Sequence, residues 1–188
     1  TVHRSRRTAR KGKGKITNQN GEKVMANKTI VTAEEGKQEL FIIREFDAPR
    51  ELVFKAYTDP DLYVQWVGPN DLTMTIDKWD CRDGGSYKFT HERGGHKYAF
   101  FGVNHEVLAP ERLIGTFEFD GLPERGHVIL GTTKFEDLGG GRSRIVHQSV
   151  FQSVADRDGM IQSGMERGVR EGYEKLDDLL TSMSVFDN

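Results

Sequence analysis

The stretch "SGMERGVREGYEKLDDLL", residues 163–180, has the pattern of an amphipathic helix with an unusual set of glycines. Its apolar residues recur at three- and four-residue spacing, and a capping box that starts at Ser153 predicts where the helix begins. Glycine stands at every fourth position beside that stripe, at Gly164, Gly168 and Gly172. Each glycine inside a helix costs about 1 kcal/mol relative to alanine. We therefore expect one long C-terminal helix whose glycines either admit a neighbouring backbone or leave room for a cavity.

The segment before this helix alternates apolar and polar residues with the period of two that is typical of strands. Glycine-rich turns divide it into six predicted strands, at residues 72–82, 85–92, 96–108, 112–119, 127–138 and 142–151. A seventh strand, at 37–46, precedes two short helices, for which Asp47 and Asp59 are the predicted caps. The sequence thus predicts an α+β domain in which a curved antiparallel sheet of about seven strands wraps around one long helix.

Length and composition favour a single domain with a basic extension. The chain has 188 residues, of which 36% are hydrophobic, enough for one core. Residues 1–28 hold nine of the 27 Lys and Arg residues but one of the 29 Asp and Glu residues. We expect a basic, disordered tail or upstream extension at 1–30 and a folded domain at 31–184. A nucleic-acid-binding arm is the weaker interpretation, since the tail lacks aromatic residues and joins an acidic body.

Other sequence features point to a cytoplasmic protein. No run of apolar residues is long enough to span a membrane, and the N-terminus lacks the hydrophobic core of an export signal. The single cysteine, Cys81, suits a reducing compartment and excludes a multi-cysteine zinc site. His91 and His96 flank a turn, but no third ligand stands at a defined spacing, so we expect no metal and no cofactor.

Aromatic residues alternate along the middle strands, and the face that they share is a candidate wall of a ligand pocket. Tyr87, Phe89 and His91 share one face of their strand, and Phe100 and Phe117 occupy neighbouring strands. Polar groups accompany them at His91, His105, Thr133 and His147. This composition is typical of a small-molecule pocket and equally of a packed β core, so both interpretations remain open at this point.

Five segments together resemble the C-terminal domain of the heat-shock-protein-90 ATPase activator. They are "REFDAPRELVFKAYTDPDLYVQWVGP" (44–69), "DCRDGGSYKF" (80–89), "GVNHEVLAPERL" (102–113), "TTKFEDLGGGRSRI" (132–145) and "GVREGYEKLDDLL" (168–180). That family belongs to the START-like (SRPBCC, birch-pollen-allergen-like) superfamily, and the resemblance covers about residues 37–181. It implies a helix-grip fold with a cavity between the long helix, the sheet and the short helices. Relatives often carry tryptophan where this chain has Tyr173.

The resemblance implies a choice of functions. Relatives are typically bacterial; some bind hydrophobic ligands, others cyclise or dehydrate polyketides, and others stimulate a chaperone ATPase. For this chain we expect binding of a small hydrophobic or amphipathic ligand, in a cavity for which Gly164, Gly168 and Gly172 make room. The expected lining is Phe54, Tyr57, Trp66, Met74, Tyr87, Phe89, His91, Phe100, Phe117, Met165, Gly168, Val169, Gly172 and Tyr173.

Two alternatives accompany this expectation. A cyclase- or dehydratase-like enzyme would need an acid/base group in the pocket, for which His91, His105 and His147 are candidates; their spacing identifies no catalytic dyad. A chaperone or stress-response partner would bind the acidic surface, and that complex would weaken with salt.

Overall fold

The computed structural model describes residues 27–186, with side chains as far as Ser184. Its elements, in chain order, are β1 (Ile30–Thr32), β2 (Glu39–Phe46), α1 (Arg50–Thr58), α2 (Pro60–Trp66), β3 (Thr73–Trp79), β4 (Ser86–Arg93), β5 (His96–Leu108), β6 (Arg112–Phe119), β7 (Ile129–Gly139), β8 (Arg142–Val150), α3 (Val154–Gln162) and α4 (Met165–Phe186).

The strands form one curved antiparallel sheet in the order β1-β2-β8-β7-β6-β5-β4-β3. Two helices follow the second strand and a long helix ends the described part, so the predicted α+β helix-grip architecture is confirmed. The sequence patterns did not predict β1, which pairs with β2 through only three residues. Thr29 is buried and accepts a hydrogen bond from Arg44. The domain thus includes Thr29 and Ile30 of the predicted tail, and residues 1–26 lie outside the described residues.

The core lies between α1, α4 and the strands β2, β7 and β8. Alternate residues of β2 point into it, with Leu40, Ile42 and Phe46 all buried. Leu176 and Leu180 of α4 are also buried within this cluster. Burying a side chain of this size stabilises the fold by about 1.5–3 kcal/mol. This apolar packing therefore fixes α4 against the part of the sheet formed by β2, β7 and β8.

The prediction of a single C-terminal helix is wrong, because two helices, α3 and α4, meet at Ser163 and Gly164. Gly164 has a φ of +82°, the left-handed conformation that ends helices and that glycine adopts without steric cost. The predicted start is confirmed, since the Asp156 amide donates to Ser153 Oγ at 3.0 Å. Asp59 likewise caps α2, whereas the predicted cap Asp47 instead accepts a hydrogen bond from Arg142.

Candidate functional site

Three phenylalanines on adjacent strands form a row, here called the aromatic ladder: Phe89 of β4, Phe100 of β5 and Phe117 of β6. Ring centroids are 5.3 Å apart for Phe89 and Phe100 and 5.2 Å apart for Phe100 and Phe117. Tyr63 of α2 contacts Phe89, which shows that the ladder lies on the face of the sheet turned towards the helices. Phe89 is fully buried, whereas Phe100 and Phe117 are half-buried. The ladder is therefore covered at one end and accessible at the other.

Tyr87 continues the ladder on β4, with its ring stacked on Phe89. Its hydroxyl donates to the Thr116 carbonyl oxygen at 2.7 Å, and burial raises its pKa. A Cβ atom at Gly102 would lie 1.9 Å from that carbonyl oxygen, so only glycine fits at this position. The Tyr87 hydroxyl is consequently engaged by the sheet, and its ring extends the aromatic ladder along β4.

Four of the predicted lining residues pack against one another beside α4. Tyr57 contacts Trp66 with centroids 4.8 Å apart, and Trp66 stacks on Tyr173 at 5.9 Å. The Tyr57 hydroxyl donates to the Tyr173 hydroxyl at 3.1 Å, and burial raises the pKa of Tyr173 to about 12. Phe54 completes this group against Phe135. These side chains form a packed part of the core with paired hydroxyls, next to the aromatic ladder.

The α4 glycines bring two backbones close together. A Cβ atom at Gly172 would lie 3.0 Å from the Trp66 carbonyl oxygen, and one at Gly168 would lie 3.3 Å from Pro69 Cδ. Gly164 precedes α4 and faces open space. The expectation that these glycines make room for a cavity is therefore wrong: two of them admit the connection after α2, and the third ends α3.

His91 lies beneath that same connection, at the covered end of the ladder. It is 7% exposed, and a Cβ atom at Gly68 would lie 2.7 Å from its Cε1 atom. Its Nε2 atom is buried and has no hydrogen-bond partner within the described part of the chain. Burial lowers the pKa of His91, as does the nearby charge of Lys175. His91 is therefore a neutral polar group among aromatic rings, with Met74 opposite it on β3.

A second polar group, here called the hydroxyl–histidine relay, consists of Thr133 on β7 and His147 and Ser149 on β8. Thr133 Oγ1 lies 2.7 Å from His147 Nδ1, and His147 Nε2 lies 2.9 Å from Ser149 Oγ. These residues share strand faces with Phe135 and Ile145, so they point towards the helices. Burial lowers the pKa of His147 to about 4 and keeps it neutral. The sequence predicts Thr133 and His147 as polar groups of a pocket, but it does not predict Ser149.

Two strand glycines lie between the ladder and the relay. Gly115 of β6 and Gly131 of β7 are directly paired. The atoms nearest to a Cβ at Gly115 belong to β5, and those nearest to one at Gly131 are His147 Cε1, at 3.2 Å, and the Gly115 carbonyl oxygen. No side chain rises from these two positions, and at Gly131 the His147 ring packs over the strand in the place that a side chain would take. A glycine inside a strand pattern is the sequence signal that marks such a place.

Comparison with known proteins places this architecture in a family. Residues 47–181 match the family described as Activator of Hsp90 ATPase homolog 1-like protein. The chain belongs to this family. No curated protein sequence matches it.

Solved structures of several bacterial proteins resemble this fold. An NMR structure of an Arthrobacter aurescens protein has a TM-score of 0.74 at 26% identity, covering 81% of this chain and 91% of that one. A Mycobacterium smegmatis protein gives 0.73 at 24% identity, covering 81% and 96% of the two chains. The AHSA1 protein from Silicibacter pomeroyi gives 0.63 at 23% identity, covering 77% and 99%. These likenesses extend over nearly the whole length of each relative.

In this family member, the remaining candidate groups lie away from the ladder. His105 is exposed, and Glu106 forms an ion pair with Arg112. Met165 and Val169 of α4 are partly buried against the core. Within residues 27–186 no cluster of three or more His, Cys, Asp or Glu residues could hold a metal ion. No helix in that range is both long and apolar enough to span a membrane.

Proposed function

We propose that the chain binds a small, neutral, apolar or amphipathic molecule between α4 and the aromatic ladder. The observation that carries this proposal is that Phe100 and Phe117 keep accessible surface on the sheet face that otherwise forms the core. A binding site of this kind is mostly apolar, with a few polar groups that orient the ligand. The ladder supplies the apolar surface, and the described polar groups lie at its ends.

The electrostatics of the proposed site favour an uncharged ligand. His91 and His147 both have pKa values lowered by burial, so both rings are neutral near pH 7. The Tyr57 and Tyr173 hydroxyls are paired with each other and have raised pKa values. A charged ligand would lose its hydration without gaining an opposite charge from these groups, which is costly. An apolar ring or chain would gain contact with the ladder at no such cost.

The pKa and the hydrogen-bond partners of His147 favour ligand binding over catalysis. A general base works best when its pKa lies near the working pH, whereas burial lowers the pKa of His147 to about 4. Within the part of the chain that the structure describes, His147 has hydroxyl partners and no carboxylate partner among its hydrogen bonds. Neither feature matches an activated acid/base pair. The cyclase or dehydratase alternative therefore has less support than ligand binding.

A pair of phenylalanine substitutions tests the proposed site. Phe117 lies on the ladder, whereas Phe101 of β5 is half-buried on the opposite face, paired with Lys88 and Glu118. With neutral dimethylaminonaphthalene as a fluorescent probe, Phe117→Ala is expected to weaken binding by about tenfold, because it removes an aromatic contact worth about 1.5 kcal/mol. Phe101→Ala is the matched control and is expected to leave the affinity unchanged. Equal affinities in all three proteins would contradict the proposal.

Absence of probe binding would direct attention to the chaperone alternative that the family description suggests. In that case a complex with a chaperone should form through the acidic surface and weaken as salt is added. Binding of the probe at the ladder together with a salt-independent affinity would support the ligand site instead.

A further inference from the structure

Within the hydroxyl–histidine relay, the Ser149 hydroxyl always keeps either a hydrogen or a lone pair that the His147 ring does not use. A neutral histidine has one N–H donor and one acceptor nitrogen, and each hydroxyl can donate one hydrogen and accept others. If Nδ1 carries the hydrogen, it donates to Thr133, and Ser149 donates to Nε2. If Nε2 carries it, Thr133 donates to Nδ1, Nε2 donates to Ser149, and the Ser149 hydroxyl hydrogen is free. Exchange between the two arrangements lets Ser149 present either an acceptor or a donor.

Ser149 lies beside the two strand glycines. It pairs with Gly131, which in turn pairs with Gly115. Adjacent strands are about 4.8 Å apart, so Ser149 lies about 10 Å across the sheet from β6, the strand that carries Phe117. An apolar molecule that rests on the ladder and extends over Gly115 would meet the His147 ring, which lies over Gly131, and the Ser149 hydroxyl that is hydrogen-bonded to it.

We propose that the relay is a polar subsite that binds a neutral carbonyl or hydroxyl group of the ligand, with Ser149 as the contacting residue. This proposal rests on the proposed ligand site and specifies the chemistry of the ligand: an apolar body with an uncharged oxygen at one end. Burial disfavours a charged His147, which agrees with a preference for neutral groups over carboxylates. Ser149→Ala removes the contact with little change in volume.

The test compares two probes that differ by one carbonyl group. Prodan is a neutral naphthyl ketone whose fluorescence shifts to the red when its carbonyl accepts a hydrogen bond, and dimethylaminonaphthalene is the analogue without the ketone. Ser149→Ala is expected to weaken prodan binding by about fivefold and to shift the emission of bound prodan to the blue. Binding of the ketone-free probe is expected to stay unchanged.

Two further variants keep the result interpretable. Thr132→Val removes a hydroxyl from the opposite face of β7, where Thr132 pairs with Gln148, and should leave both probes unaffected. Ser149→Thr keeps a hydroxyl and should restore prodan affinity and emission. Unchanged prodan affinity and emission in Ser149→Ala would overturn the subsite while leaving the ladder site intact. Failure of the unaltered protein to bind either probe would overturn both proposals.

Discussion

Replacement of Gly172 by alanine has two opposing effects on the free energy of unfolding. Alanine is favoured over glycine by about 1 kcal/mol in a helix interior. Against this, the added Cβ would lie 3.0 Å from the Trp66 carbonyl oxygen and 3.5 Å from the Gly68 nitrogen. Both are backbone atoms, and Trp66 is held by a 2.9 Å hydrogen bond from its indole to the Ala56 carbonyl oxygen. Overpacking of this kind costs about 1–3 kcal/mol. We expect Gly172→Ala to lower the free energy of unfolding by about 1 kcal/mol.

Urea denaturation followed by tryptophan fluorescence measures this change. The matched control is Gly159→Ala, because Gly159 lies in α3, is exposed, and would carry an added Cβ with no other segment of the chain within 4 Å. There the helix preference acts alone, and we expect a gain of about 1 kcal/mol. If Gly172→Ala stabilised the protein as much as Gly159→Ala does, the close approach of α4 to the connection after α2 would be refuted.

Two further predictions concern buried polar groups. Lowering the pH from about 7 to about 5 should reduce stability by about 1–2 kcal/mol, because His147 has a pKa of about 4 when folded and titrates near 6.5 when unfolded, so protonation favours the unfolded state. His147→Gln should remove that part of the pH dependence in urea titrations, and His105→Gln, at an exposed position, should not. Tyr57→Phe and Tyr173→Phe should each cost about 1 kcal/mol, and the double variant less than their sum, because both remove the same hydrogen bond. Additive costs in thermal unfolding would contradict that pairing.

The strands could be predicted well because their signals are local. Period-two alternation and glycine turns lie within each segment, and the bounds of β5 and β6 agree with the prediction to the residue. β1 carries too few residues for any periodicity to be visible. The break before α4 was missed because apolar spacing continues from Ile161 to Met165, and only the backbone shows that Gly164 adopts a positive φ.

The site could be predicted only in part, because it depends on contacts between distant segments. Strand parity placed Phe89, Phe100 and Phe117 on one face, as the structure has them. Strand parity does not predict how α2 packs against α4. That packing decides whether Trp66 stacks on Tyr173, as it does in the structure, or lines a cleft. Ser149 joins His147 only because β8 folds beside β7 in one register.

Native mass spectrometry of the protein isolated from its own cells tests the central claim most directly. The proposed site predicts a stoichiometric small molecule that leaves on denaturation, is neutral, and joins an apolar body to a carbonyl or hydroxyl group. A bare protein mass, together with no binding of the naphthyl probes to the unaltered chain, would contradict the claim that the aromatic ladder is a ligand site.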